Sequence, residues 1–389
     1  MGSLYHAIIS RYYVKRFLII KLWQHIDFYL LVPVITLCVF GLVAVFWAGL
    51  SPQFSSPFLL FKAKLYFFIP GLLIALCLSA VDYHLYENSK LQISLSLAVI
   101  FFLVLLFFSG PREFGANLRF LMFNKSIQPA EYAKIIIVVV LSYTITETYR
   151  RELFSYFIFS VHTALLVVLF VLIALQPDYG AVLILFATSL CMLIAARIEA
   201  KKSLLLVLSV SLVCCLGIIG LCCTLPKYQY VLERFKIFFE CFFVGGCHKY
   251  QINNAYHAII SGRLFGNNIT DALHPHGILP MECNDFIYCV IAEESGFTGI
   301  VMLVLIYSFF IKRGFSIAKD CRDFFGQLMA FGLTCMIGLQ ALINMLVATG
   351  LMPTTGITLP FVSHGGNSML SSLIAVGILL NISKNTFRP

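Results

Sequence analysis

Asp285 is the side chain whose position best suits acid–base chemistry. It lies where a long loop meets an apolar run that begins with Phe286 and Ile287. Apolar neighbours withdraw water from a carboxylate and make it a better proton acceptor. The sequence therefore predicts Asp285 as a general base. The alternative is a structural role, because aspartate is also a favoured residue at the start of a helix.

A second polar stretch lies near the carboxyl end, between two apolar runs, and is rich in the helix breakers glycine and proline. Non-helical backbone at membrane depth is tolerated where it is buried in protein or lines a wet cavity. The polar side chains of this stretch are therefore candidate ligands for a substrate: Asn344, Thr355, Ser363 and His364.

Glu131 and Lys134 form a charged group at the start of an apolar run, just after Pro129. Proline suits the first turn of a helix, and two residues three positions apart lie on one helix face. A charge one turn into a membrane span is costly, which marks it as a candidate functional residue. The pair, together with Arg119 upstream, is a candidate binding group. The alternative is a capped helix start with a neutralising ion pair.

Two connections add further candidates. Asp178 lies in the short turn 176–180, where proline, aspartate and glycine need no functional explanation. The connection 224–285 is far longer than the roughly 15 residues above which loops in compact domains are usually functional or disordered. Its apolar content argues against disorder. Its candidate binding residues are Arg234, Gln251, Arg263 and Glu282.

Membrane helices must position these residues, because the composition excludes soluble alternatives. Of 389 residues, 60% are apolar and 12% are charged, and the mean hydropathy is +0.93. This excludes a soluble enzyme, a disordered scaffold and a secreted disulfide domain. A spanning helix needs roughly 20 apolar residues. We predict an all-α polytopic membrane protein with about ten transmembrane helices and one long extracytoplasmic loop; the predicted spans are 28–49, 65–81, 92–109, 131–147, 156–175, 180–196, 204–223, 286–311, 325–348 and 361–382.

The distribution of Lys and Arg orients these spans, because cytoplasmic connections are rich in both. With the N-terminus inside, 16 of the 27 Lys and Arg residues are cytoplasmic. The opposite short loops hold five: Lys62, Lys64, Arg112, Arg119 and Lys125. Both termini are therefore predicted to be cytoplasmic. The net charge of +9 is an orientation signal with no bearing on nucleic acid.

Three regions follow from this topology. Residues 1–26 form a cytoplasmic segment, which either lies on the membrane lipid of the inner leaflet or is a poorly ordered tail. Residues 27–382 form the ten-span membrane domain, including the extracytoplasmic loop 224–285. Residues 383–389 form a cytoplasmic tail.

Taken in order, these motifs resemble the family of cell-wall polymerases that includes RodA, FtsW and SpoVE. The family pattern Gln-Pro-Asp-x-Gly is intact, and so is the closing pattern Pro-x-Thr-Gly-x-x-x-Pro-Phe-x-Ser-x-Gly-Gly. Other family motifs match with a few replacements. The matching stretches are 115–120, 128–134, 176–180, 281–288, 293–296 and 353–366, within a resemblance that covers 27–382.

Some positions depart from the family pattern. They are Cys283 and Asn284 in place of His and Thr, Ile260 and Arg263 each in place of Gly, and His364 and Asn367 in place of Tyr and Ser. Because Asp285 is kept, the resemblance indicates a divergent but active enzyme; a slow or degraded one is the alternative. The residues 23–27 before the first span are more similar to RodA, the elongation member, than to FtsW, the division member.

The resemblance implies peptidoglycan glycosyl transfer on lipid II at the outer face of the bacterial cytoplasmic (inner) membrane. Asp285 would take the proton of the acceptor GlcNAc hydroxyl as it attacks the donor MurNAc anomeric carbon. Glu131 would hold Lys134, and the stretch 353–366 would line the sugar cavity. Cations would stabilise the leaving undecaprenyl pyrophosphate; the candidates are Arg119, Lys134, Arg234 and Arg263.

Cofactors and partners follow from the same resemblance. A divalent cation such as magnesium would assist the pyrophosphate, although no metal site can be read from the sequence. His274, His276, Glu282 and Cys283 lack the spacing of known zinc sites. Family members act with a class B penicillin-binding protein, a transpeptidase, and with other proteins of the elongation or division complex.

Two other functions compete with the polymerase. The first is a flippase or transporter of a lipid-linked cell-wall precursor, which ten spans with intramembrane charges would also suit. Against it, the polar residues cluster toward one membrane face and no inverted repeat is visible. The second is a non-enzymatic scaffold that recruits a transpeptidase.

Overall fold

The structure, a computed structural model, describes most of the chain. The described residues are 26–50, 56–109, 120–122, 125–153, 160–176, 178–196, 229–240, 243, 250–266 and 284–386.

Within these residues the chain forms eleven α-helices and one short hairpin. The helices are α1 Phe28–Ala48, α2 Pro57–Leu78, α3 Ser89–Ser109, α4 Pro129–Arg151, α5 Val161–Leu175, α6 Tyr179–Ala195, α7 Gln229–Phe239, α8 Tyr250–Ser261, α9 Ile287–Asp320, α10 Phe324–Ala348 and α11 Gly366–Thr386. A 3-10 helix, Tyr83–Glu87, joins α2 to α3, and the antiparallel strands β1 Phe120–Met122 and β2 Lys125–Ile127 precede α4.

Seven of these helices are long and apolar enough to cross a membrane: α1 to α4 and α9 to α11. The shorter apolar helices α5 and α6 coincide with the fifth and sixth predicted spans. The seventh predicted span, 204–223, lies outside the described residues. The prediction of an all-α polytopic membrane protein is confirmed, with the six strand residues as a small addition.

The start of the second span was predicted wrongly. Helix α2 begins with Pro57, whereas the predicted second span begins at residue 65. Lys62 and Lys64, which we assigned to an outer loop, therefore lie inside α2. Lys62 is exposed, whereas Lys64 is 1% exposed and belongs to the protein interior.

Helices α4, α10 and α11 form the most buried part of the bundle, while α2 and α3 are mostly exposed on their outer faces. Small residues allow close packing, as expected in membrane helices. A Cβ at Gly332 of α10 would lie 2.6 Å from Met192 Sδ of α6 and 2.7 Å from Val138 Cγ1 of α4. A Cβ at Gly377 of α11 would lie 2.7 Å from the Ala75 carbonyl oxygen of α2.

Helix α9 is interrupted at Gly296, which has φ 65° and ψ −162°. The break frees backbone N–H groups, which must find other acceptors. Phe297 donates to the Arg263 carbonyl oxygen at 2.9 Å, and Thr298 donates to the Leu264 carbonyl oxygen at 3.1 Å. The turn after α8 is thereby docked on α9, roughly three helical turns beyond Asp285.

Candidate active site

The turn that carries Asp285 is tied to the connection between α10 and α11, residues 349–365, which we call the α10–α11 loop. Asn344 Nδ2 donates to the Asp285 carbonyl oxygen at 2.9 Å and to the Ile357 carbonyl oxygen at 2.7 Å. Ser363 Oγ donates to the Asn284 carbonyl oxygen at 2.6 Å. Two buried side chains therefore fix the backbone of the turn against the loop.

The carboxylate of Asp285 faces Gly356. This glycine is exposed and has φ 76°, a conformation that favours glycine. Among the described residues, only one atom would lie within 4 Å of a Cβ placed on Gly356. That atom is Asp285 Oδ2, at 3.8 Å. The N-cap of α9 is Phe286, whose side chain makes no capping hydrogen bond. Asp285 precedes this N-cap position, and its carboxylate lies beside Gly356.

Four helices supply side chains that hold carbonyl groups of the α10–α11 loop. The pairs are Lys64 of α2 with Val362, Tyr307 of α9 with Pro360, Gln340 Nε2 of α10 with Thr358 at 3.1 Å, and Arg234 Nη1 of α7 with Thr354 at 2.9 Å. Within the loop, Phe361 is buried and has φ 64°. Such a conformation costs a non-glycine residue about 1–3 kcal/mol, and the surrounding bonds offset that cost.

The predicted pair of Glu131 and Lys134 exists, with Lys134 buried and Glu131 partly buried. Lys134 Nζ lies 2.9 Å from Glu131 Oε2 and donates to Gln340 Oε1 at 2.7 Å. Glu131 accepts from Ser371 Oγ of α11 at 3.0 Å, and Gln340 donates from Nε2 to Ser368 Oγ at 3.1 Å. The charges of α4 thus connect α10, α11 and the α10–α11 loop in one polar network.

Asp178 caps helix α6 beside the same loop. Its carboxylate accepts from the Ala181 N–H at 3.0 Å and from Gln128 Nε2 at 3.1 Å. Burial raises the pKa of the Asp178 carboxyl, although the Ala181 N–H, Lys134 and Gln128 act in the opposite direction. The next glycine, Gly180, leaves room for the loop, since a Cβ there would lie 3.0 Å from the Thr355 carbonyl oxygen.

Three polar atoms around this site are buried and have no hydrogen-bond partner among the described residues: Asn344 Oδ1, Thr355 Oγ1 and His364 Nδ1. Burial, and then the positive charge of Lys64, lower the pKa of His364. Buried polar atoms are normally hydrogen-bonded, and each exception calls for an explanation such as a ligand. These atoms can donate to or accept from a bound polar molecule.

The sequence profile of a family described as cell cycle protein, which groups FtsW, RodA and SpoVE, matches residues 28–387. The chain belongs to this family. It is 31% identical over 371 residues to the probable peptidoglycan glycosyltransferase FtsW of Bacillus subtilis, an alignment that covers 93% of this chain and 92% of the relative.

Two solved structures share the fold of this family member. A chain from work on the structural coordination of polymerization and crosslinking by a peptidoglycan synthase complex matches with a TM-score of 0.74 and 24% identity, covering 94% of this chain and 100% of that one. The crystal structure of the rod shape determining protein RodA of Thermus thermophilus matches with a TM-score of 0.66 and 23% identity, covering 94% and 99%. The elongation role stays a prediction, because both FtsW and RodA occur among these matches.

Some predicted site residues lie elsewhere. Arg119 and Glu282 fall outside the described residues, and so does the side chain of Gln251 in α8. Arg263 is exposed in the turn after α8 with φ 46°, and its described role is the backbone bond to α9. The family's glycine at this position is understandable, because that conformation favours glycine.

Other residues of the site were missed from the sequence: Lys64, Tyr307, Gln340 and Ser371. Lys64 could have been found, because Pro57 is a helix-start signal that extends the second span back over it. The other three are ordinary polar residues inside apolar helices. Nothing in their local pattern marks them.

The described residues give no metal ligands. No group of three or more His, Cys, Asp or Glu side chains that could hold an ion occurs among them. His274, His276, Glu282 and Cys283 lie outside the described residues.

Proposed function

We propose that this chain is a peptidoglycan glycosyltransferase that polymerises lipid II into glycan strands at the outer face of the bacterial cytoplasmic membrane. The observation that carries the proposal is the Asp285 carboxylate beside Gly356, next to buried polar atoms that have no hydrogen-bond partner among the described residues. Membership of the family and the name of the Bacillus subtilis relative support this activity.

Asp285 is the proposed general base. It takes the proton of the acceptor GlcNAc hydroxyl, whose oxygen forms a bond to the anomeric carbon of the donor MurNAc. The bond from that carbon to the pyrophosphate oxygen breaks, and undecaprenyl pyrophosphate leaves with the electron pair. Base and leaving group act on opposite faces of the sugar, as in inverting glycosyl chemistry.

The cations of the site share one role in this proposal. The leaving pyrophosphate gains negative charge, which fixed cations stabilise. Lys134, held by Glu131 and Gln340, and Arg234, held at Thr354, are placed on helices that reach the α10–α11 loop. Arg119 is a further predicted member of this set. Arg263 is the weakest candidate, because its side chain is exposed.

The remaining polar groups would bind the sugars. Asn344, Thr355 and His364 supply buried atoms without partners in the described part of the chain, and Ser363 and Asp178 hold the walls in place. Gln251 and Glu282 stay predicted ligands. We further propose that both termini are cytoplasmic and that a class B penicillin-binding protein is the partner. A solved structure that shares the fold comes from a peptidoglycan synthase complex that joins polymerization to crosslinking.

Purified protein incubated with labelled lipid II, alone and with the partner transpeptidase, tests the activity. We expect polymer from the wild type and from Asp320→Asn, and none from Asp285→Asn. Asp320 is a suitable control because it is an exposed acid at the far end of the same helix. Polymer from Asp285→Asn at the wild-type rate would show that Asp285 is not the base. Lipid crossing a bilayer without any polymer would favour the flippase.

A further inference from the structure

Lys64 is a buried cation that the mechanism above does not use. It lies in α2, is 1% exposed, and donates from Nζ to the Val362 carbonyl oxygen of the α10–α11 loop. Lys62, two residues earlier on the same helix, is exposed. The two lysines therefore occupy opposite environments, and only Lys64 reaches the loop.

The space for the Lys64 ammonium is made by Gly41 of α1. A Cβ on Gly41 would collide with Lys64 Nζ and would lie 2.6 Å from Val362 Cα and 2.8 Å from the Phe361 carbonyl oxygen. Helices α1 and α2 and the strained part of the loop thus meet at one point. The Lys64 ammonium is therefore tightly packed between α1 and the α10–α11 loop.

From Val362 the chain leads directly to the proposed base. The next residue, Ser363, donates to the Asn284 carbonyl oxygen, and Asn284 precedes Asp285. The residue after Ser363 is His364, whose Nδ1 is buried without a described partner. A shift of the Val362 carbonyl would therefore move a sugar-binding candidate and the turn that carries the carboxylate.

The chemistry of the contact also needs an explanation. A buried charge contributes little net stability, because a well-packed apolar side chain of similar size avoids the desolvation cost. A neutral hydrogen-bond donor would also hold one carbonyl group, so this contact by itself does not require a charged side chain. The charge does act on the site, since Lys64 is one of the two causes that keep the pKa of His364 low.

We propose that Lys64 is a positioning residue for glycosyl transfer: it holds the Val362 carbonyl and, through Ser363, sets the position of Asp285. The inference rests on the proposed polymerase activity. Lys64 does not itself touch the reacting atoms in this proposal. Its removal should therefore lower turnover more than it weakens substrate binding.

The test compares four variants with the wild type in the lipid II assay: Lys64→Met, Lys64→Arg, Ser363→Ala and Lys62→Met. We expect Lys64→Met to lower kcat by about 10- to 100-fold with KM for lipid II changed less than about threefold. Lys64→Arg keeps a charged donor and should recover part of kcat. Lys62→Met is the matched control and should retain the wild-type rate.

A double variant separates positioning from a general structural role. If Lys64 acts through Ser363, Lys64→Met combined with Ser363→Ala should lower kcat no further than the stronger single variant. Multiplied effects, or full activity of Lys64→Met, would overturn the proposal. If Lys64→Met does not fold, Lys64→Gln replaces it, and unfolded protein from every Lys64 variant would assign the residue to stability alone. A wild type without polymerase activity would instead reject the function on which the proposal rests.

Discussion

Two ion pairs, each with one buried and one partly buried partner, lie at opposite ends of the bundle and have different surroundings. At one end, Arg313 of α9 pairs with Asp27, with Nη2 2.7 Å and Nε 2.8 Å from the Asp27 carboxylate, which also caps α1. At the other end, Glu131 and Lys134 pair at 2.9 Å. Arg313 lies 26 residues after Ile287 in α9. At about 1.5 Å per helical residue, the first pair is therefore roughly 40 Å from the Asp285 turn.

The difference between the two pairs lies in what surrounds them. The Asp27–Arg313 pair joins the start of α1 to the end of α9 and extends to Ser316 on the same helix. The Glu131–Lys134 pair continues through Gln340 into the α10–α11 loop. Buried polar atoms without described partners occur in and beside that loop, at Asn344, Thr355 and His364. An ion pair alone therefore does not distinguish the proposed site; its connection to such atoms does.

Breaking each pair should give the largest effects and separate the two ends. Lys134→Met and Arg313→Met each leave a buried carboxylate without its cation, and each should cost about 3–5 kcal/mol of stability. Only Lys134→Met should also lower polymerisation per folded molecule, by about 100-fold. Thermal unfolding and the lipid II assay measure both quantities. Equal losses of specific activity in the two variants would remove the functional distinction between the pairs.

Buried amides offer a second comparison of the two ends. Asn344→Ala removes both bonds that tie the Asp285 turn to the loop, and we expect an activity loss of about 10- to 100-fold. Gln92→Ala removes one bond, from Nε2 to the Tyr86 carbonyl oxygen, next to the start of α3. It should cost stability of about 1–3 kcal/mol and leave the rate of the folded protein unchanged. A comparable rate loss in Gln92→Ala would argue that any buried amide affects catalysis.

The pH dependence of stability tests the environment of His364. Its pKa is lower in the folded protein than its usual value of 6.5, so the folded state binds the proton less readily than the unfolded chain. The contribution of neutral His364 to stability is complete above the pKa that this side chain has in the unfolded chain. It is lost as the pH falls through the lower pKa of the folded protein. We expect the melting temperature to fall less between about pH 7 and about pH 5 in His364→Gln than in the wild type. The exposed His84→Gln serves as the control at the other end; an identical pH profile in both variants would contradict the assignment.

The smallest effect concerns the turn that docks α8 on α9. Arg263 has φ 46°, so Arg263→Gly should relieve strain and raise stability by about 0.5–1 kcal/mol. Arg263→Ala removes the charge and keeps the strain, so it should give no gain. Thermal unfolding compares the two variants. If both stabilise equally, the charge and not the backbone conformation is the cause.

The sequence alone determined the class of the protein and much of its chemistry. Apolar runs predicted the membrane helices, and the Glu131–Lys134 pair followed from a spacing of three residues on one helix. Asp285 was found because an acid at the edge of an apolar run is conspicuous. These features depend on hydropathy and on neighbours within one helical turn, which a sequence displays directly.

Only the tertiary structure decided which polar side chains meet. Lys64 and Val362 are 298 positions apart, Lys134 and Gln340 are 206 apart, and Glu131 and Ser371 are 240 apart. Such partners are chosen by how helices pack, since a buried polar atom bonds whatever the neighbouring helix presents. The hydropathy pattern of the sequence does not indicate which partners will meet. The sequence therefore supplied the proposed base, and the packing of α1, α2, α4, α10 and α11 supplied the network around it.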